Sequence, residues 1–110
     1  MISTRLIAAL AAVAFAAACQ PAKAPPKAQT LTMTMQSMAF TPATLTAHVG
    51  DSVRWVNNDI VRHNVTARDG RFNFDLDPNQ SRTTVLDHAG RVPITCSYHP
   101  TMTAVLDVEP

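Results

Sequence analysis

From Leu31 onward the chain breaks into short runs bounded by turn residues, and that punctuation leaves few folds open. "LTMTMQ" (Leu31 to Gln36) alternates apolar with polar, the period-two pattern of a half-buried strand. "TLTAHV" stops at Gly50-Asp51, and "SVRWVN" alternates and stops at Asn57-Asn58-Asp59. "HNVTAR" runs to Asp69-Gly70, "RFNFDL" to Asp77-Pro78-Asn79, and "SRTTVLD" toward Ala89-Gly90. "RVPITC" and "TAVLDVE" complete the series. No stretch carries a helical period, no internal repeat is present, and there is no Gly-rich phosphate loop. About eight short strands with turn signals every ~8 to 12 residues predict an all-β, antiparallel sandwich. Pro93 falls inside a strand run and is expected at an edge or a bulge.

The segment before this pattern is of another kind. Arg5 precedes an unbroken apolar run from Leu6 to Ala18. Such a run spans roughly 20 Å as a helix, short of a ~30 Å hydrocarbon core, so residues 1–18 are expected to be a signal peptide rather than a membrane helix. The run ends in small residues followed by Cys19, which resembles a bacterial lipoprotein signal. Ala16 stands where such signals usually carry Leu. The expectation is an exported, periplasmic protein with a lipidated Cys19 as membrane tether. Ordinary cleavage after an A-x-A site, leaving Cys19 incidental, is the alternative. Residues 19–30 hold three Pro and both of the chain's Lys, too little apolar surface to fold, and read as a Pro/Ala-rich tether. Residues 31–110 then form one domain.

That domain has six Arg against eight acidic residues, with no basic stripe, so nucleic acid is not an expected partner. Its one cysteine, Cys96, has no partner within the domain for a disulfide, and an odd Cys in an exported chain is a liability or a ligand. It opens "CSYHPTM", in which thiol, imidazole and thioether recur at every third position. Ligands at that spacing would drift around a helix, and Pro100 pushes His99 out of helical conformation. Fully extended, Cys96 and Met102 would lie about 20 Å apart. Convergence therefore needs a loop folding back between "RVPITC" and "TAVLDVE".

A further ligand must come from another loop at the same end. Of the four His, His63 opens a strand directly after "NNDIVR", whereas His48 and His88 precede Gly turns and read as ordinary exposed histidines. His63, Cys96, His99 and Met102 together are the ligand inventory of a blue-copper site, in which two imidazoles and a thiolate form a plane with a weak axial thioether. One copper per chain is expected. Met33, Met35 and Met38 could in principle bind Cu(I), which would suit copper storage, delivery or resistance. Their plainer reading is core filling on the first strand. A structural zinc site is a third reading, disfavoured because a thioether is a poor zinc ligand.

The domain resembles the cupredoxins, the small blue-copper proteins. "MAFTPATLTAHVGDSVRWVNND" is similar to the family's opening, "RHNV" to its first His ligand and following Asn, and "CSYHPTM" to the short ligand loop of the amicyanin group. The resemblance implies a Greek-key cupredoxin sandwich. It also implies that Asn64 ties the two ligand loops together by hydrogen bonds. The chain departs from the family at Val92 and Ile94, where an aromatic pair is usual, at Ala104 in place of Gly, and at Tyr98 in place of Pro. The implied function is single-electron transport rather than enzymatic turnover. His99 would sit at the surface edge, with Pro100 and Thr101 on the access face. A monomer is expected, making small, transient contacts with a redox partner such as a cytochrome c or a periplasmic oxidoreductase. Arg62 would tune the choice of partner.

Overall fold

The computed structural model describes residues 27–110, together with residue 9 and residues 11–13. Most of the expected signal segment, Cys19 and most of the tether lie outside the described residues. Among the described residues no helix is long and apolar enough to cross a membrane.

Nine strands follow one another: β1 (Thr30–Gln36), β2 (Ala39–Thr41), β3 (Thr44–His48), β4 (Ser52–Asn57), β5 (His63–Ala67), β6 (Asn73–Leu76), β7 (Ser81–Val85), β8 (Gly90–Cys96) and β9 (His99–Glu109). They form two sheets, β2-β1-β4-β7 and β3-β9-β8-β5-β6. The strand beyond the expected eight is β2, whose three residues are too few to display an alternation.

The sheets are mixed rather than antiparallel. β1 runs parallel to β4, with Met33 opposite Trp55, and β3 runs parallel to β9, with Leu45 opposite Leu106. Side-chain alternation is the same in both directions, so the sequence pattern carries no sign of strand polarity. Pro93 is also corrected. β8 is an interior strand, and its register shift falls between Thr95 and Cys96. The proline is tolerated because it lies just past the last β5 pair, Ala67 opposite Ile94. Its carbonyl accepts from Arg68 N–H at 2.9 Å, so its nitrogen faces the same way and no bond to β9 is missing.

The core lies between the sheets. Met33, Met35, Val53, Trp55, Val65, Val92, Ile94 and Leu106 are fully buried. Each aliphatic or thioether side chain so placed contributes roughly 1.5–3 kcal/mol. Trp55 packs against Phe40, Phe72 and Phe74 with ring centroids 5.6–6.4 Å away, and its indole N–H donates to Thr84 Oγ1 at 2.9 Å. Val92 and Ile94 fill with aliphatic volume the positions where the resemblance expects aromatic rings. Met33 and Met35 are core residues, as the plainer reading had it, while Met38 sits half-exposed on a turn.

Two carboxylates set the turns. Asp51 Oδ1 accepts from Gln29 N–H at 2.8 Å and Oδ2 from His48 N–H at 2.9 Å, tying the start of β1 to the end of β3. The Ser37-Met38 turn joining β1 to β2 has φ of 52° and 60°, a left-handed pair that hairpins usually give to Asn-Gly. Here Asp59 accepts from both amides, at 2.7 and 3.0 Å, and holds the turn in that shape.

Candidate metal centre

β8 ends at Cys96 and β9 begins at His99, so the two residues face each other across the Ser97-Tyr98 turn. Thr95 pairs with Thr103, which leaves Pro100, Thr101 and Met102 as three extra residues on β9. This bulge is the fold-back that the spacing demanded. It lets the chain spend seven residues at one end of the sandwich without moving away from it, and it turns Met102 inward, 2% exposed.

His63 arrives from the other loop. Asn57 orders that loop: its fully buried amide donates to Val61 O and Leu76 O, both at 2.9 Å, and accepts from Asp59 N–H. His63 then opens β5 with its ring completely buried. Cys96 Sγ lies 3.9 Å from His63 Nδ1 and 3.6 Å from His99 Nδ1. One donor atom from each of the three residues lies within 4.8 Å of the others. Ligands bonded at ~2.3 Å through sulfur and ~2.0 Å through nitrogen, about 120° apart, would stand about 3.5 to 3.7 Å from one another, so the spacing suits a single ion. The imidazole rings meet edge-on, with centroids 5.2 Å apart. His99 is only half-buried, which leaves it as the donor nearest solvent.

The surroundings hold these groups in place. His63 Nε2 lies 2.7 Å from Asp59 Oδ2, which orients the ring with Nδ1 toward the sulfur. Burial would raise the Asp59 carboxyl, but the Met38 amide, the His63 ring and the Ser37 amide together outweigh it and hold the group below the usual carboxylate range. Asn64 N–H donates to Cys96 Sγ at 3.2 Å. Its side chain donates to Asn73 Oδ1, Phe74 O and Asp75 Oδ1, and its Oδ1 accepts from Ser97 N–H and from the Thr66 hydroxyl. Tyr98 OH donates to Asp75 Oδ2 at 2.6 Å. That bond, with the Asn64 amide, lowers the Asp75 carboxyl, and the same carboxylate raises the Tyr98 phenol. Among the described residues no buried side-chain nitrogen or oxygen is left without a partner.

Each expected site residue is accounted for. His63, Cys96 and His99 converge, Met102 is buried three residues beyond His99, and Asn64, beside His63, bonds to Cys96 and Ser97 of the other ligand loop. His48 pairs with Glu109 at 3.1 Å, at the end of β9 farthest from His99, and His88 pairs with Asp87 at 2.6 Å. Arg62 pairs with Asp77 at 2.8 Å and approaches Asp75 at 3.7 Å. Sequence reasoning missed Asp59, Asp75 and Asn73. Asp59 could have been found from its place four residues before a suspected ligand histidine, since such histidines commonly bond a carboxylate through their second nitrogen.

A family model described as a cupredoxin-like domain matches residues 6–108. The methylamine utilization protein MauL of Methylorubrum extorquens is 33% identical over 89 residues, covering 76% of this chain and 77% of the relative. Among solved structures, a reduced amicyanin variant superposes with a TM-score of 0.66 at 24% identity, covering 73% of this chain and 82% of that one. A Cu(I) form of another amicyanin variant gives the same figures, a TM-score of 0.66 at 24% identity over 73% and 82%. At that identity the structural likeness speaks for the fold.

Proposed function

The chain belongs to the cupredoxin-like domain family, and from that premise we propose that it is a blue-copper electron carrier holding one copper ion between His63, Cys96, His99 and Met102. The observation that carries the reading is the convergence of one thiol sulfur and two imidazole Nδ1 atoms inside 4.8 Å. When bound, copper supplies a centre that gains and loses one electron.

The residues do the rest. Cys96 offers a thiolate, and the Asn64 N–H stabilises negative charge on its sulfur. His63 and His99 would be donors that both oxidation states of copper accept, and Met102 would offer a soft thioether. Asp59 holds His63 in orientation, and the Asn64 network fixes the turn carrying the other two ligands. A site held this way changes little as charge comes and goes, which is what fast electron exchange requires. Four protein ligands leave little room for a substrate, so we read the chain as a carrier and not an enzyme.

Access is by way of His99. Exposed Pro100 and Thr101 flank it, and on the other ligand loop Ile60 is 94% exposed beside Val61, with Met38 on the turn that Asp59 holds. This apolar rim suits a small, short-lived contact with another redox protein. Arg62 is engaged by Asp77, so its charge at that rim is largely met. The name of the MauL relative ties that protein to methylamine utilization, which makes a periplasmic amine-oxidising enzyme or its cytochrome c the first partners to try. The leader and tether would deliver residues 31–110 to the periplasm on a lipidated Cys19. The test is a reductive titration of the copper-loaded protein. One electron per chain with the metal retained supports a carrier; release of copper on reduction, or more than one ion per chain, would make it a copper-handling protein instead.

A further inference from the structure

Tyr98 stands between Cys96 and His99, where the resemblance expects proline. A proline would stiffen this turn by fixing its own φ. Tyrosine cannot, yet the turn is held from outside. The Tyr98 phenol donates to Asp75 Oδ2 at 2.6 Å, across 23 residues of sequence. Asp75 lies on β6, and its other oxygen accepts from Asn64 Nδ2 at 2.9 Å. Asn64 returns to the ligand loop twice, through its N–H to Cys96 Sγ at 3.2 Å and through Oδ1 to the Ser97 amide at 3.3 Å. Arg62 and Asp77 close the outer side, with Arg62 Nη1 3.7 Å from Asp75 Oδ2. Both residues of the turn are therefore tied to one Asn64–Asp75 unit, Ser97 by its backbone and Tyr98 by its side chain.

We propose that Tyr98 and Asp75 form a latch, a positioning pair that clamps the β8–β9 turn to β6 and so presets Cys96 and His99 before metal binds. The clamp uses a side-chain bond where a prolyl ring would use covalent stiffness. Its consequence for the metal rests on the copper reading above; its existence does not.

The test uses Tyr98→Phe, Asp75→Ala and the double variant of the full chain. In the metal-free protein, Tyr98→Phe should speed amide hydrogen exchange at Ser97 by about tenfold, the size expected from losing one charge-assisted hydrogen bond. Amides of β1 and β4 should stay protected, showing that the fold is intact. Asp75→Ala, which also frees Asn64 Nδ2, should speed it at least as much, and the double variant no more than Asp75→Ala alone, because the Tyr98 bond is then already gone. In the copper-loaded protein, Tyr98→Phe should shift the reduction potential, and the shift should vanish when Asp75 is already Ala. Unchanged Ser97 exchange in Tyr98→Phe, or effects that add, would overturn the latch. Should the wild-type protein develop no visible colour with copper, the copper reading fails, and the exchange data still decide the latch by themselves.

Discussion

Asn64 splits its work between backbone and side chain. The N–H bond to Cys96 Sγ survives any substitution that keeps the strand, whereas the side chain alone satisfies Ser97, Asn73 and Asp75. Asn64→Ala should therefore separate two roles. The metal-free protein should lose about 1–3 kcal/mol, read as a lower urea midpoint by Trp55 fluorescence, because several partly buried hydrogen bonds are lost at once. The colour of the copper-loaded protein should remain, since the bond to sulfur does. Loss of colour would mean that the side chain, not the amide, holds the thiolate. At this scale the sequence was legible where chemistry narrows the choice of residue. Thiol, imidazole and thioether have few uses together, so His63, Cys96, His99 and Met102 could be named from spacing. Asp59 left only the weaker sign of its place four residues before His63, and Asp75 left none, because aspartates are common in turns for their own reasons.

Between residue and fold stand the turns and the bulge. Asp51 accepts amides from Gln29 and His48, which hold its carboxyl below the usual carboxylate range; its partial burial works the other way, and the nearby His48 adds a small lowering. A group whose folded pKa is depressed gives stability that is present above its unfolded value near 3.8 and lost as pH falls through the folded one. Asp51→Asn should thus be less stable than wild type at neutral pH, and the gap should close in acid once the pH falls below the depressed folded pKa, where both carry a neutral side chain. A gap independent of pH would show that the turn needs only shape. The β9 bulge makes a second element-scale claim. Deleting Thr101 shortens the three extra residues and should displace Met102, so the copper-loaded variant should keep its thiolate colour but shift in potential. Strand runs were legible because alternation is local. Strand direction was not, since β1/β4 and β3/β9 show the same alternation parallel as they would antiparallel, and β2 was too short to show any.

At the scale of the whole molecule, the core is built by apolar side chains packed between the two sheets. The fully buried set from Met33 to Leu106 lies between the sheets, and the candidate centre sits at one end of them. The metal-free protein should fold, and copper should only add to its stability. Free copper at 100 times its dissociation constant should contribute about 2.7 kcal/mol, seen as a raised Tm that a chelator returns to the metal-free value. Unfolding on chelation would mean that the ion organises the sandwich and is not merely received by it. The access rim of Pro100, Thr101 and Ile60 could be anticipated only in part, because Ile60 comes to that end through the loop that Asn57 and Asp59 order. The central claim is that Cys96 supplies the thiolate of a copper site shared with His63 and His99. It is tested most directly by titrating Cu(II) into the metal-free wild type and Cys96→Ser side by side and recording visible absorption. The account predicts an intense band in the wild type that saturates at one equivalent of copper, and none in Cys96→Ser. A band that survives in Cys96→Ser, or a wild type that stays colourless at saturating copper, would contradict it.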